Sequence, residues 1–257
     1  ELTEAEKAEY KAKMGTIKRQ RQDEKNRVQK DCRAWCADAW AKAKNATNDN
    51  PYLKLKGVKA YGLKSFKDSL LVPVLDLAGI IHGLQFIQTD GSKKFKTGTN
   101  KTGHFFKIGA SKNNTIVICE GYSTAASIHQ ATSHAVIVAF DCGNLLPVAK
   151  AIRAKFSDMT IIVAADNDQA AEGNPGLLKA TEAAQYVGGL LAVPDFGKDK
   201  LKGLTDFNDL HVSRGLLAVK VCIDAAQLTS LKNEKLSTLR QEVERIAALD
   251  PLERETE

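Results

Sequence analysis

Three stretches decide the fold: Thr115-Ile-Val-Ile-Cys119-Glu120-Gly121, Ala135-Val-Ile-Val-Ala-Phe140-Asp141 and Thr160-Ile-Ile-Val-Ala-Ala165-Asp166-Asn-Asp168. Each is a short, almost wholly apolar run that leads directly into an acidic residue: Glu120, Asp141 and Asp166. Between them lie amphipathic segments: Tyr122 to Ala131, then a helical stripe of Leu145, Val148, Ala149, Ile152 and Phe156. Pro175 to Val187 reads as a further helix, opened by Asn174 and with Pro175 at its first position, and Leu190 to Val193 as a fourth strand. Strands apolar throughout that alternate with amphipathic helices predict an α/β domain whose parallel sheet is covered on both faces.

Ligands of open parallel sheets bind beyond the carboxyl ends of the strands. That rule brings Glu120, Asp141, Asp166 and Asp168 to one edge. So many carboxylates repel one another unless a cation joins them, and an all-oxygen donor set suits Mg²⁺ or Mn²⁺. Asp206 and Asp209, in Thr205-Asp-Phe-Asn-Asp-Leu210, lie near the same edge if the helix they open packs back onto it. Capping of that helix explains them equally well.

Outward from this core the texture changes. Residues 1–50 read as helix, with Val28, Cys32, Trp35, Cys36, Ala39 and Trp40 marking one stripe and a polar stretch before it. Residues 51–112 are expected to form a small β-rich subdomain, with hairpins over Leu70–Leu75 and Ile80–Ile87, then Lys94–Lys96 and His104–Ile108. Residues 113–215 make the parallel-sheet domain. Residues 216–257 make a C-terminal extension that is charged and helical from Ser230.

The chain has 257 residues and a net charge of +6, unevenly spread. From Tyr52 to Lys112 there are eleven Lys against three acids, so phosphate is expected on one part and metal on the other. Lys93, Lys94, Lys96, Lys101 and Lys107 are the candidate nucleic-acid and nucleotide contacts, with Phe95, Phe105 and Phe106 available either for base stacking or for a hairpin core. Five scattered cysteines form no disulfide framework and fit a reducing cytoplasm. Cys32 and Cys36, one turn apart, lack a second ligand pair, so no zinc site is expected. No apolar run reaches the ~18 residues of a membrane span, and the charged start does not read as a signal peptide. The chain begins without Met and is expected to be a piece of something longer.

Together these motifs resemble the Toprim domain. Glu120-Gly-Tyr-Ser-Thr-Ala-Ala126, Ala139-Phe-Asp-Cys-Gly-Asn-Leu145, Ala165-Asp-Asn-Asp168 and Asp206-Phe-Asn-Asp-Leu-His211 are similar to the Toprim primases of conjugative plasmids and prophages. Asn50-Pro-Tyr-Leu53, Leu71-Val-Pro-Val74 and Gly83-Leu-Gln-Phe86 resemble the subdomain that precedes it there. The resemblance implies metal-dependent synthesis of short primers on a single-stranded DNA template from nucleoside triphosphates, with a helicase domain or protein as a possible partner. It implies Glu120, Asp166 and Asp168 as catalytic and metal-binding residues, with Asp141 behind them. The chain departs from the DnaG-type pattern at Thr124, where an Asp is usual, and at Asn167, where Asp-Gly-Asp is usual; no zinc-binding region of the upstream kind is read within these residues. A Toprim nuclease and a non-catalytic module that binds single-stranded DNA or a helicase are the alternatives.

Overall fold

The computed structural model describes residues 3–110, 114–168, 170–197 and 203–228. The charged stretch from Ser230 to Glu257 lies outside them.

The chain opens with a long helix, α1 (Glu4–Lys42), of which only the C-terminal part packs on protein: Cys32, Cys36 and Ala39 are buried against Leu71 and Leu84. The two thiols sit 3.8 Å apart in this apolar stripe, as small core residues. Trp35 of the predicted stripe lies at its rim, 41% exposed, with its ring near Phe66 and Phe86.

Five strands follow as an antiparallel sheet in sequence order: β1 (Lys44–Asn45), β2 (Lys64–Phe66), β3 (Ser69–Leu75), β4 (Ile81–Ile87) and β5 (Lys93–Phe95). A short helix, α2 (Pro51–Leu55), capped by Asn50, interrupts them after β1. β3 is apolar on both faces because both are covered. Leu71 faces α1, while Leu70 and Val72 join the core shared with the next domain.

The second sheet contains β6 (Phe106–Ile108), β7 (Thr115–Cys119), β8 (Ala135–Val138), β9 (Thr160–Ala164), β10 (Leu190–Ala192) and β11 (Gln227–Leu228). Its order is β11-β10-β9-β7-β8-β6. The four central strands are parallel; β6 and β11 close the edges antiparallel. Thus β6, expected within the lysine-rich subdomain, hydrogen-bonds to β8 of the second sheet.

The connections are α3 (Tyr122–Thr132), α4 (Leu145–Lys155), α5 (Pro175–Tyr186), α6 (Phe207–Arg214) and α7 (Leu216–Asp224). α3, α6 and α7 pack together on one face and α4 with α5 on the other, giving two separate apolar layers. This is the mixed α/β architecture expected, with the Toprim-like sheet preceded by a smaller β subdomain. After β7 the chain leaves for α3 on one face, and after neighbouring β9 it leaves for α5 on the other. Their carboxyl ends therefore open a crevice at the switch point.

Polar anchors fasten the 51–63 segment to this domain. The Tyr122 hydroxyl donates to the Lys59 carbonyl and accepts from the Tyr61 amide, both at 2.7 Å. Fully buried Asn208 donates to the Lys56 carbonyl at 2.7 Å and to Ser127 Oγ at 3.0 Å.

Candidate active site

Glu120 directly follows β7, and its carbonyl accepts the Phe140 amide at 2.8 Å, which extends the β7–β8 pairing past the sheet. Asp166 follows β9 on the other lip of the crevice. Glu120 Oε1 and Asp166 Oδ1 are both buried, and neither has a hydrogen-bond partner. Burial first, then the charges of Asp141 and Asp206, raise the Glu120 carboxyl to about 7. Burial, then Glu120 and Asp206, raise Asp166 to about 8. Lys93 opposes both shifts; its ammonium lies 3.6 Å from where a β-carbon on Gly121 would stand.

The other acids are held differently. Asp206 and Asp209 form a complete capping box on α6. Asp206 Oδ1 accepts the Asp209 amide at 2.8 Å, and Asp209 Oδ2 accepts the amides of Thr205 and Asp206. Asp206 Oδ2 also accepts from Thr124 Oγ1 at 3.1 Å, and burial raises its pKa. Capping thus occupies Asp206 without removing its charge from the crevice. Asp209 faces Lys56 at 4.0 Å.

Asp141 caps the one-turn 3₁₀ helix Cys142–Asn144 through the Asn144 amide at 3.1 Å and forms an ion pair with Lys101. Asp168 accepts the Ala170 amide at 3.1 Å within its own loop and is not a leading cause of either the Glu120 or the Asp166 shift. Glu120, Asp166 and Asp206 thus share one patch of charge with Lys93, joined by Asp141 at Glu120 and by Asp209 at Asp166, while Asp168 bonds within its own loop. Among the described residues, no three acids, histidines or cysteines converge tightly enough to chelate a metal ion.

The five lysines disperse. Lys93 faces the carboxylates. Lys101 pairs with Asp141 and lies 4.9 Å over the Phe95 ring, which meets Phe140 edge-on at 5.7 Å. Lys94 is exposed, and Lys96 sits 4.9 Å over Trp35 of α1. Lys107 lines a hollow of about 410 Å³ with Leu75, Phe105, Lys155 and Phe156, beyond the opposite end of α4. Phe105 and Phe106 are both core residues, at 7% and 5% exposure, so neither can stack on a base; Phe95, half-buried, remains.

Sequence reasoning missed several supports. Buried Asn144 donates to the carbonyls of Ala139 and His104 and accepts the Gly103 amide, which fixes the loop that carries Lys101. Gly176 abuts the crevice: a β-carbon there would stand 2.7 Å from the Asp166 carbonyl and 3.2 Å from Glu120 Oε1. Asn167 Oδ1 accepts from Asn174 Nδ2 at 2.8 Å, a clasp that glycine at 167 could not make. The only sequence signal for the last was the departure at residue 167 itself.

The stretch that builds this parallel sheet and its acidic crevice, residues 115–216, matches the Toprim domain family. Two Escherichia coli proteins named DNA primase TraC are similar over a longer span. One is 35% identical, covering 76% of this chain and 14% of that protein, and the other 34%, covering 82% and 22%. The chain spans less than a quarter of the length of either. Among solved structures, the primase fragment of the bacteriophage T7 primase-helicase is similar at 16% identity with a TM-score of 0.49, over 71% of this chain and 80% of that one. The chain belongs to the Toprim-domain primases, with the TraC proteins as similar relatives.

Proposed function

We propose that this chain is the catalytic region of a DNA primase, joining nucleotides on a single-stranded DNA template by metal-dependent nucleotidyl transfer. The observation that carries this is the pair Glu120 Oε1 and Asp166 Oδ1: two buried, unpartnered carboxylate oxygens from adjacent strands, with a lysine facing them. Buried acceptors without partners are costly, and a divalent cation with oxygen preference fits the donor set they present.

Glu120 and Asp166 would hold Mg²⁺ or Mn²⁺, with Asp168 joining them by giving up its bond to the Ala170 amide. Asp206 and Asp209, held in their capping box, and Asp141, paired with Lys101, add negative charge around the site. A bound ion supplies charge neutralisation at the triphosphate and lowers the pKa of the attacking 3′-hydroxyl. Lys93 binds a phosphate oxygen of the incoming nucleoside triphosphate. Lys101 and Phe95 form the neighbouring wall, where a backbone phosphate meets the ammonium and a base meets the ring. Such a site works on DNA in the cytoplasm; among the described residues no helix is long and apolar enough to cross a membrane. A mobile genetic element is the proposed source and a helicase the proposed partner.

The test uses circular single-stranded DNA, labelled nucleoside triphosphates and Mg²⁺ or Mn²⁺. The parent chain is compared with Glu120→Gln, Asp166→Asn and Asp168→Asn. Short labelled oligomers from the parent, reduced at least ~10²-fold in Glu120→Gln and Asp166→Asn, are expected. Nicked circles would make the chain a nuclease. Intact, bound DNA without product would make it a docking module.

A further inference from the structure

We propose that the N-terminal part of α1 is a nucleic-acid arm, contacting the sugar-phosphate backbone beyond the crevice. The inference extends the reading above, because it rests on this chain acting on nucleic acid.

From Lys11 to Arg33 there are nine basic residues against three acidic, a net charge as large as that of the whole chain. From Glu9 to Arg27 every residue is exposed except half-buried Ile17. At 1.5 Å per residue, the part of α1 before Val28 reaches roughly 35 Å from the body. Arg27 is paired with Glu24, but no ion pair among the described residues engages Lys18, Arg19, Arg21 or Lys25.

The place where this arm departs gives it a direction. α1 touches the first sheet at the turn after β5, and a β-carbon on Gly98 would stand 2.8 Å from the Val28 carbonyl and 2.9 Å from Cys32 Cβ. Gly98 has φ of 88°, so both its backbone and this contact require glycine. Arg21 and Lys25 line a hollow with Gly98 and Thr99, and Lys96 covers Trp35. The arm therefore leaves from the sheet edge that carries Lys93, Lys94 and Lys96, and Lys93 is the cation facing Glu120 and Asp166. Lys94 and Lys96 lie on the α1 side of that edge and Lys93 on the side toward the crevice, so basic residues flank the edge on both faces.

Tyr10, Met14 and Ile17 form a short apolar line on the arm, and two copies pairing along it would set their basic faces against each other. Charge complementarity favours a polyanion instead. With no aromatic residue between Lys11 and Arg33, the arm has no stacking platform, so its contacts are with phosphates, in single strand or duplex.

The full chain is compared with the fourfold variant Lys18→Gln, Arg19→Gln, Arg21→Gln and Lys25→Gln. A second variant of equal charge carries Lys150→Gln, Lys155→Gln, Lys179→Gln and Lys220→Gln. Glutamine keeps the helix, which circular dichroism checks. Binding to a labelled single strand and to its duplex is followed by anisotropy across a NaCl series. The arm variant is expected to weaken binding tenfold or more at ~0.1 M salt and to flatten the log–log salt slope by about 3, while the second variant changes neither. Loss on one nucleic-acid form alone supports the arm and identifies which form it tracks. An unchanged slope in the arm variant overturns the inference and leaves the proposed catalytic function untouched. So does an arm-dependent dimer in sedimentation. A parent chain that binds neither form overturns both.

Discussion

Glu120 Oε1 comes to within 3.2 Å of the point where Gly176 would carry a β-carbon, so the first turn of α5 closes directly onto the carboxylate crevice. The same β-carbon would stand 2.7 Å from the Asp166 carbonyl, a backbone atom that cannot swing aside. Gly176→Ala is expected to cost about 1–3 kcal/mol by overpacking. It is also expected to weaken Mn²⁺ uptake, because relief of the clash pushes Glu120 and Asp166 apart. Thermal melting and an electron paramagnetic resonance titration with Mn²⁺ check the two effects separately. An alanine variant with unchanged melting and unchanged Mn²⁺ uptake would show that α5 does not restrain the pair.

The pH dependence of stability follows from the two raised carboxyls. With Asp166 at about 8 and Glu120 at about 7, the folded chain keeps protons that the unfolded chain releases near pH 4. The unfolded state therefore binds fewer protons in that window, and stability falls as pH rises through it. The metal-free midpoint is expected to drop from about pH 5 to about pH 8, and Mg²⁺ to restore it at the upper end. Asp166→Asn, which keeps the shape without the charge, should melt higher than the parent near pH 8 and respond less to Mg²⁺. Calorimetry across pH with and without Mg²⁺ reads this directly, and a flat parent profile without metal contradicts it.

Thr124 stands close enough to donate to Asp206 at 3.1 Å, and it is buried. Thr124→Val keeps the volume and removes the donor, so one oxygen of a buried carboxylate loses its partner. A loss of about 1–3 kcal/mol is expected near neutral pH, with a smaller loss at low pH where Asp206 is protonated. Urea melts at two pH values measure it.

Asn208 joins α6 to the Lys56 carbonyl and to Ser127 on α3, and its removal takes a donor from each, although Ser127 Oγ keeps His211 Nδ1 at 3.1 Å. Asn208→Ala is expected to cost about 2–4 kcal/mol, from lost bonds and from the cavity. Denaturant unfolding tests this. A cost under ~0.5 kcal/mol would mean that the anchor contributes little.

What the sequence made legible was whatever rests on local pattern. The all-apolar runs of β7, β8, β9 and β10, the β3–β4 hairpin and helices α3, α4 and α5 each carry their own periodicity or turn chemistry. The acids after three strands pointed to one edge, and Glu120 and Asp166 meet there. Asp168 has the same address in the sequence, yet a single hydrogen bond to the Ala170 amide turns it into its own loop, and spacing carries no trace of that choice. Phe105 and Phe106 look alike as stacking or core residues until the second sheet buries one in each of its two apolar layers. In Asp206-Phe-Asn-Asp209, capping and proximity to the crevice were rival explanations, whereas Asp206 does both at once. Phe106-Lys-Ile108 reads as a strand of the lysine-rich subdomain, and its pairing with Val136 to Val138 assigns it to the second sheet instead.

That pairing of β6 has a practical outcome for anyone dividing the chain. A fragment started at residue 113 would leave Val136, Ile137 and Val138 as a bare row of amides and carbonyls beneath an apolar surface. Such an edge recruits strands from other molecules, so the shortened piece should precipitate. A fragment begun ahead of Phe105 would carry its own seal. The two sheets are spliced there, because β6 pairs with β8 while Phe105 just before it bridges to Leu75 at the end of β3.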